Sequence, residues 1–194
     1  MNTYQAAVNV RTRFVRTVFR ANSLMTKTGP AVQGAGVEIE HQLGATNLSL
    51  LVDGCTFESN LAEAPHGLAR GGGLHLQIDH ADVAGVEVRM VRTRFTNNTL
   101  SAGGEGGFAE GAGAKLIYQS SARVASVRHE LIECAFESNR ALSTGSGGYA
   151  HGGGRRCDGG GVRRQHRLVL AEHRHRRLAH APIGVLELGQ LLRH

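Results

Sequence analysis

The chain has 194 residues, of which 41% are hydrophobic and 5% aromatic, and it contains 27 glycines and no tryptophan. This composition favours a single domain or a short repeat array with many tight turns over a broad helical core. No run of 18 apolar residues is present, so no membrane-spanning helix is expected, and the first twenty residues lack the continuous apolar segment of a secretory signal.

The formal net charge of +6 is confined to one end of the chain. Residues 1–154 contain 13 basic and 13 acidic side chains, whereas residues 155–194 contain nine arginines and three acids. A basic surface that extends over the whole protein is therefore not indicated, and we expect no nucleic-acid partner.

A short motif, Phe-x-x-Asn, occurs four times, and the phenylalanines are separated by 38, 38 and 41 residues. The four copies are Phe19–Asn22, Phe57–Asn60, Phe95–Asn98 and Phe136–Asn139. Each copy is followed by a polar stretch and then by a glycine cluster, and the clusters lie at 34–36, 71–73, 111–113 and 152–154. A period of this length indicates a repeat architecture in which each unit stacks on the next.

Alternating apolar residues predict one strand after the glycine cluster and a second strand before the phenylalanine of the motif. In chain order the predicted strands are 37–40, 48–52, 74–78, 86–90 and 114–118. An odd step of three residues separates the inward-facing Val52 from Cys55, which predicts a corner or bulge between them. Each unit is therefore predicted to contain three short strands, joined by two tight corners and one longer loop.

These features predict an all-β fold, a right-handed parallel β-helix (solenoid) of about four coils over residues 1–154. Equivalent residues of stacked coils would lie about 4.8 Å apart. We expect an internal stack of phenylalanines and a hydrogen-bonded ladder of asparagines, formed by Phe19, Phe57, Phe95, Phe136, Asn22, Asn60, Asn98 and Asn139. A sandwich of β-hairpins would explain the alternation but not the common register of Phe, Asn and Gly.

The Phe-x-x-Asn motif, together with Gly-Gly-Ala or Gly-Gly-Gly before an apolar strand, resembles the repeats of the chlamydial polymorphic membrane proteins. It is also similar to other right-handed β-helix repeats of large surface proteins. The resemblance covers roughly residues 8–154. It implies a rigid stalk or adhesive surface, usually exported, and hence an extracellular or cell-surface location.

The repeat pattern breaks after the fourth glycine cluster. Residues 155–194 are rich in Arg and His, and no Phe-x-x-Asn follows near residue 175. We expect this segment to be an irregular or weakly helical tail that is poorly ordered or non-native; the alternative is a genuine basic cap of the repeat array. With neither end of the array resembling a cap, the sequence favours a fragment of a larger repeat protein.

The three cysteines offer little chemistry. Cys55 and Cys134 occupy equivalent positions two coils apart, about 9.6 Å by the strand spacing, whereas a disulfide needs Cα atoms within about 7 Å. We expect both to be small core residues, and Cys157 lies in the tail. No Cys-x-x-Cys is present, so neither a metal nor another cofactor is indicated.

Two histidine motifs have partial matches to catalytic signatures. Residues 151–154, His-Gly-Gly-Gly, match the oxyanion-hole tetrapeptide of some esterases, but the cluster recurs elsewhere without histidine and no Gly-x-Ser-x-Gly is present. Residues 129–133 lack the second histidine of a zinc-protease motif and lie on a predicted strand. A structural role is favoured for both.

Two further groups of polar residues are candidates for chemistry. Parallel β-helix enzymes cleave pectin-like polysaccharides with carboxylates, often with calcium, and the candidates here are Asp53, Asp79 and Asp82. Acidic residues are common in turns for local hydrogen-bonding reasons, so a structural role is favoured. In the tail, His173, His175 and His180 could bind a metal, but a solvated basic segment is the simpler interpretation.

The sequence thus favours a non-enzymatic structural or adhesive surface module, with a cell-surface protein or glycan as its partner. The alternative is a polysaccharide-acting, pectin-lyase-like β-helix enzyme, and a third possibility is a non-functional gene fragment. A cluster of carboxylates on one outer face would distinguish the enzyme from the binding module.

Overall fold

The computed structural model describes residues 2–3, 9–41, 47–78, 82–118, 123–124, 126–152, 168–170 and 185–187. Over these residues the chain forms an all-β parallel solenoid of about three turns. No helix is present in this part of the chain, and hence none that could cross a membrane. The predicted number of coils was about four. Four phenylalanine rows enclose three complete turns, which accounts for the difference.

The strands stack into five parallel sheets, named here sheets 1 to 5 in the order in which one turn passes through them. Sheet 1 contains β2 (Val10–Val15), β7 (Asn47–Asp53), β13 (Gly85–Val91) and β19 (Val127–Ile132). Sheet 2 contains β3 (Val18–Arg20), β8 (Thr56–Glu58), β14 (Arg94–Thr96) and β20 (Cys134–Glu137). Sheet 3 contains β4 (Ser23–Met25), β9 (Leu61–Ala64), β15 (Thr99–Ala102) and β21 (Arg140–Ser143).

Sheets 4 and 5 complete the turn. Sheet 4 contains β5 (Ala31–Gln33), β10 (Leu68–Arg70), β16 (Phe108–Glu110) and β22 (Tyr149–His151). Sheet 5 contains β1 (Asn2–Thr3), β6 (Val37–His41), β11 (Leu74–Ile78) and β17 (Ala114–Tyr118). A small sixth sheet pairs β12 (Asp82–Val83) with β18 (Arg123–Val124).

The turn therefore has five main strands rather than the three that the alternation predicts. The two additional strands are those of sheets 3 and 4, where the inward side chains are mostly alanine. Ala62, Ala64, Ala69 and Ala109 are buried there. Because these residues are small, the strands resemble a polar loop in the sequence, whereas sheets 1, 2 and 5 enclose the large apolar core.

Three corner positions with left-handed backbone recur from coil to coil, and only one of them is glycine in every coil. The corner predicted between Val52 and Cys55 is present at Gly54, with φ of 62°, but Arg16 and Arg92 occupy equivalent positions with φ of 50° and 47°. The first residue of the glycine cluster is different: at Gly71 a Cβ would lie 2.6 Å from the Cβ of His75. A side chain is excluded there because the two neighbouring strands fold sharply towards each other on the outer side.

The four phenylalanines of the motif stack along the solenoid axis. Successive ring centroids are 4.8, 4.7 and 4.7 Å apart, and the rings are tilted by 16°, 8° and 4°. The spacing equals the distance between paired strands, so each ring lies over its equivalent in the next coil. Phe57 and Phe95 have no exposed surface.

The asparagines of the motif form a continuous ladder beside the rings. The side-chain oxygen of Asn98 accepts from the backbone N–H of Asn60 at 3.1 Å and from its Nδ2 at 2.8 Å. Nδ2 of Asn98 in turn donates to Asn139 Oδ1 at 2.8 Å and to the carbonyl oxygen of Phe57 at 2.9 Å. Asn22 donates to Asn60 in the same way. Buried amides are thus satisfied across three successive coils.

The third interval of the repeat is longer because of its loops, not its strands. Ala64 pairs with Ala102 and Leu68 with Phe108, so the connection between sheets 3 and 4 has three residues in one coil and five in the next. The connection between sheets 5 and 1 is one residue longer in the same coil, since Ile78 pairs with Tyr118 and Val86 with Val127. The strands stay in register despite these insertions.

Two three-residue strands of the tail are described. β23 (Leu168–Leu170) pairs antiparallel with β20, and β24 (Val185–Glu187) pairs antiparallel with β17. These segments are strands rather than helix. The remaining tail residues, including Arg155, Cys157 and the three candidate histidines, lie outside the described residues.

Replacing Phe95 by alanine should lower the free energy of unfolding by about 3–5 kcal/mol, because a fully buried ring that stacks on two others would leave a cavity. Urea denaturation followed by far-UV circular dichroism measures this. Phe108→Ala is the matched control, since Phe108 is 39% exposed and should cost about 1 kcal/mol or less. Equal losses in the two variants would contradict a central role of the stack.

Replacing Asn98 by aspartate keeps the oxygen acceptor but removes both amide donors and buries a charge. We expect a loss of about 3 kcal/mol in the free energy of unfolding, measured in the same way. The neighbouring Asn97→Asp is the control, because Asn97 is exposed and makes no ladder contact; it should change stability by about 0.5 kcal/mol or less. A similar loss at Asn97 would show that the added charge, not the ladder, is responsible.

Candidate functional site

The eight residues singled out in the repeat join successive coils through the ring stack and the asparagine ladder. Asn60 and Asn98 are fully buried, as are the rings of Phe57 and Phe95. At these positions neither the rings nor the amides are open to a ligand. The residues that can contact a partner are therefore those whose side chains point outward, and they form two groups.

The first group lies on the outer face of sheet 1, which we name the arginine face. Side chains of its strands alternate between the core and the outer face, so Leu48, Leu50 and Val52 are buried while Ser49 and Leu51 point outward. The outward column that begins with Arg11 continues through Ser49, Glu87 and Arg128. The column that begins with Arg13 continues through Leu51, Arg89 and Glu130.

In the coils that contain β13 and β19, called the upper coils, the arginine charges of this face are neutralised by ion pairs with nearby acidic residues. Glu130 lies 3.3 Å from Arg89 Nε and also contacts Arg128, and Arg128 lies 3.7 Å from Glu87. At the adjacent corner, Arg92 contacts Asp53 at 2.7 Å. These pairs join residues of adjacent coils or neighbours on the same strand.

The N-terminal coil, which contains β2 and is called the lower edge of this face, has among its described residues no acidic side chains that neutralise its arginines. Arg11, Arg13 and Arg16 are exposed, and none of the ion pairs among the described residues includes them. Residues 9–22 contain four arginines and no acidic residue. The arginine face therefore has a positively charged lower edge on an otherwise balanced surface.

The second group is a charged cluster at the corner between sheets 4 and 5, which we name the corner cluster. It consists of Arg70 and Glu110 from sheet 4 and His75 and Lys115 from sheet 5. Glu110 accepts from Arg70 Nε at 3.2 Å and from Lys115 Nζ. Side chains five residues apart meet because the intervening glycine corner folds the two strands together.

Burial and the neighbouring cations shift the pKa values of His75 and Glu110 in the corner cluster. Burial lowers the pKa of His75 to about 4, against a weaker opposing contribution from its hydrogen bond with Gln77. Burial alone would raise the pKa of Glu110, but the hydrogen bond and charge of Lys115 and the charge of Arg70 outweigh it, and the net shift is downward. At neutral pH the cluster thus contains an ionised glutamate and a neutral histidine, which are the charge states of a structural network rather than of a poised acid and base.

The corner cluster was not predicted from the sequence. Charged or titratable side chains flank two successive glycine clusters, Arg70 before and His75 after one, and the oppositely charged Glu110 before and Lys115 after the next. That pattern is a usable signal once the glycines are known to form a closed corner, but the corner's direction is not visible in the sequence.

The three aspartates proposed for polysaccharide chemistry are not brought together by the described residues. Asp53 is engaged by Arg92. Asp79 lies outside the described residues, and of Asp82 only the backbone in β12 is described. Groups of three or more His, Cys, Asp or Glu side chains suited to a metal ion are absent from the part of the chain that the structure covers.

The histidine motifs lie on strands and corners. His129 is in register with Val88 and Glu130 with Arg89, so adjacent side chains of this motif point to opposite faces, as predicted. His151 ends β22, and Gly152 after it forms a glycine corner with φ of 71°. Gly153 and Gly154 lie outside the described residues.

Cys55 and Cys134 are both buried and unpaired, in agreement with the predicted core role. Thr93 lies between them in the stack, and its hydroxyl oxygen is 3.4 Å from the backbone nitrogen of Cys55. Burial raises the pKa of the Cys134 thiol. A thiol that is buried and protonated at neutral pH is a poor nucleophile, so this position has no support as a reactive site.

No protein-family model, no curated protein and no solved structure matches this chain. The fold is that of a parallel β-helix repeat, and the comparisons add no activity, partner or location to it.

The corner cluster generates a pH-dependent prediction. The folded-state pKa of His75, about 4, lies below its ordinary value of 6.5, so the unfolded chain binds a proton before the folded chain does as the pH falls. Between about pH 7.5 and about pH 5 this difference should reduce the free energy of unfolding by about 2 kcal/mol.

The measurement is urea denaturation of the natural chain and of His75→Gln at both pH values. The variant retains a polar side chain but cannot titrate, so its loss on acidification should be about 2 kcal/mol smaller. Comparing the two chains removes the contribution of His41, whose pKa is also lowered by burial. An identical pH dependence in both chains would show that His75 is not held neutral by the fold.

Proposed function

We propose that this protein is a non-enzymatic, adhesive surface module that binds acidic glycans through the arginine face. The observation that carries the proposal is that Arg11 and Arg13, both exposed on β2 at the N-terminal edge of the arginine face, form no ion pair with any described residue. Guanidinium groups bind carboxylate and sulfate in a bidentate geometry, which makes them suited to acidic sugars.

The solenoid supports this function by holding the charges at fixed positions. Arg11 and Arg13 are two residues apart on one strand, which separates their Cα atoms by about 6.6 Å. The core and the ladder prevent the strand from shifting, so little conformational entropy of the backbone is lost when an extended chain binds across it. A rigid row of cations fits a polymer with regularly spaced anionic groups.

The chemistry of the face favours a glycan over a nucleic acid. The outward residues of sheet 1 in the described part of the chain include no aromatic side chain, so the face has no platform on which bases could stack. The charge is also local to one edge and is balanced in the coils above it. An acidic glycan can bind through contacts between its anionic groups and the arginines, without aromatic side chains on which bases would stack.

The resemblance of the Phe-x-x-Asn and glycine repeats to chlamydial polymorphic membrane proteins supports the same proposal. It extends the proposal to an extracellular or cell-surface location and to an adhesin-like role. The alternative of a polysaccharide-cleaving enzyme needs two carboxylates that converge on a sugar linkage. No observation among the described residues favours it, since Asp53 is engaged by Arg92.

The double variant Arg11→Ser/Arg13→Ser should bind immobilised heparin or polygalacturonate about 10-fold more weakly than the natural chain, since two exposed ion pairs contribute about 1.4 kcal/mol together. Surface plasmon resonance with the full chain measures this, with neutral dextran as the reference surface. Binding should also weaken as the salt concentration rises.

The matched control is Lys27→Ser/Arg140→Ser, which removes the same charge from exposed positions outside the arginine face. It should bind nearly as well as the natural chain. Equal losses in the two double variants would indicate attraction by net charge alone and contradict a specific face. Release of reducing ends from polygalacturonate would instead favour the enzyme.

A further inference from the structure

The two ends of the solenoid present different surfaces. The N-terminal edge, as defined here, is formed by β2, β3, β4 and β5, each of which pairs on one side only among the described residues. Large apolar side chains are exposed there, with exposed fractions of 46% for Val15, 58% for Val18, 40% for Leu24 and 56% for Met25. An edge of this kind offers both unpaired backbone groups and apolar surface to another strand.

The opposite surface, the C-terminal edge, is formed by β19, β20, β21 and β22 together with β17. Two of these strands are covered by the tail, since β23 pairs with β20 and β24 with β17. Both tail strands run antiparallel, unlike every coil-to-coil pairing in the solenoid. They occupy the positions that the strands of a further coil would take in sheets 2 and 5.

The asparagine ladder has a direction, and its two ends are complementary. From Asn60 to Asn139, each side-chain oxygen in the ladder accepts from the Nδ2 of the preceding asparagine, on its N-terminal side. At the N-terminal edge Asn22 has a side-chain oxygen that accepts no hydrogen bond within the described residues. At the C-terminal edge, the backbone N–H of Asn139 donates to no acceptor among the described residues.

The charges at one corner are complementary as well. The corner column after sheet 1 runs Arg16, Gly54, Arg92 and Glu133 from one edge to the other. Arg16 and Glu133 are both exposed, and neither takes part in an ion pair among the described residues. A second copy stacked in register would bring Glu133 of one molecule beside Arg16 of the next, about 4.8 Å apart by the strand spacing.

We propose that the N-terminal edge is a docking surface for the C-terminal edge of a second copy of this chain, and that β23 and β24 compete with that copy. Stacking continues the asparagine ladder with the correct donor and acceptor at the junction. It also covers Leu24, which is 40% exposed at the N-terminal edge and equivalent to the buried Ala62 and Leu100 of the following coils. Association of two N-terminal edges is disfavoured, because it would place arginine-rich coils against each other.

The contact is head-to-tail, so each added copy presents a new free edge, and the assembly is an open series rather than a closed dimer. The tail strands limit this growth. When β23 and β24 are seated, sheets 2 and 5 are blocked for the next copy. Displacement of these two three-residue strands frees β20 and β17 for the next copy.

The first experiment uses the full chain with Val169→Pro and Leu186→Pro, which remove strand pairing by the tail without touching the solenoid. Sedimentation velocity should show a concentration-dependent series of dimers and larger species, with at least a 10-fold lower dissociation constant than for the natural chain. The control Val169→Thr/Leu186→Thr keeps strand propensity and should behave as the natural chain does.

Exchanging charges at residues 16 and 133, in the chain that carries both proline substitutions, tests whether these two residues meet between copies. Arg16→Glu and Glu133→Arg should each weaken association about 5-fold, and the two together in one chain should restore it, because residue 16 of one copy meets residue 133 of another. A head-to-head contact would give no restoration. Proline variants that melt like the natural chain but stay monomeric, or association that charge exchange does not restore, would overturn the proposal.

A second experiment avoids the proline substitutions, in case they impair folding. Arg16→Cys and Glu133→Cys are combined in a chain with Cys157→Ser and the solution is oxidised. Within one chain the two positions are three coils apart, about 14 Å by the strand spacing, too far for a disulfide. Because oxidation traps each displacement of β23 and β24 by a second copy, a ladder of cross-linked oligomers that grows with protein concentration is expected on a non-reducing gel. Arg16→Cys alone should give dimers at most, and the absence of a ladder at high concentration would contradict head-to-tail docking.

Discussion

The asparagine ladder is the interaction on which the rest of the structure depends. Asn60 and Asn98 are buried, and each satisfies its amide only if the neighbouring coil is in register. A buried amide without partners costs about 1–3 kcal/mol for each unsatisfied group, and a shift of one residue would leave several unsatisfied at once. The ladder therefore fixes which residues stack, and the phenylalanine rings, the corners and the outer columns follow from that register.

Electrostatics in this solenoid is a consequence of the same register. Arg20 with Glu58, Arg70 with Glu110 and Arg89 with Glu130 are all pairs between adjacent coils. Each partner lies 38 to 41 residues away in the chain, but only one strand spacing away in space. A column of outward residues is therefore neutral where equivalent residues of adjacent coils have opposite charges. It remains charged where the adjacent coil offers no residue of opposite charge, as at Arg11 and Arg13.

Much of this fold is predictable because the residues of the repeated motif are the ones that stack on each other in successive coils. The strands Leu74–Ile78 and Ala114–Tyr118 begin and end where the alternation places them, and the corner at Gly54 lies where the odd step requires one. The strands of sheets 3 and 4 were missed because alanine fills a narrow core without producing strong hydrophobic alternation. The corner cluster was missed because its formation depends on the direction in which a left-handed glycine turns the chain.

The unequal connections between strands show where this architecture accepts change in length. The five-residue connection between β15 and β16 replaces a three-residue one in the coil before it, yet Leu68 and Phe108 remain paired. Residues added there loop away from the axis, so the cost is only the modest entropy of closing a slightly longer loop. Variation by insertion is thus available at the rim of every coil while the interior stays constant. The solenoid is in this sense a scaffold on which new surface loops can be acquired one coil at a time, without redesign of the core.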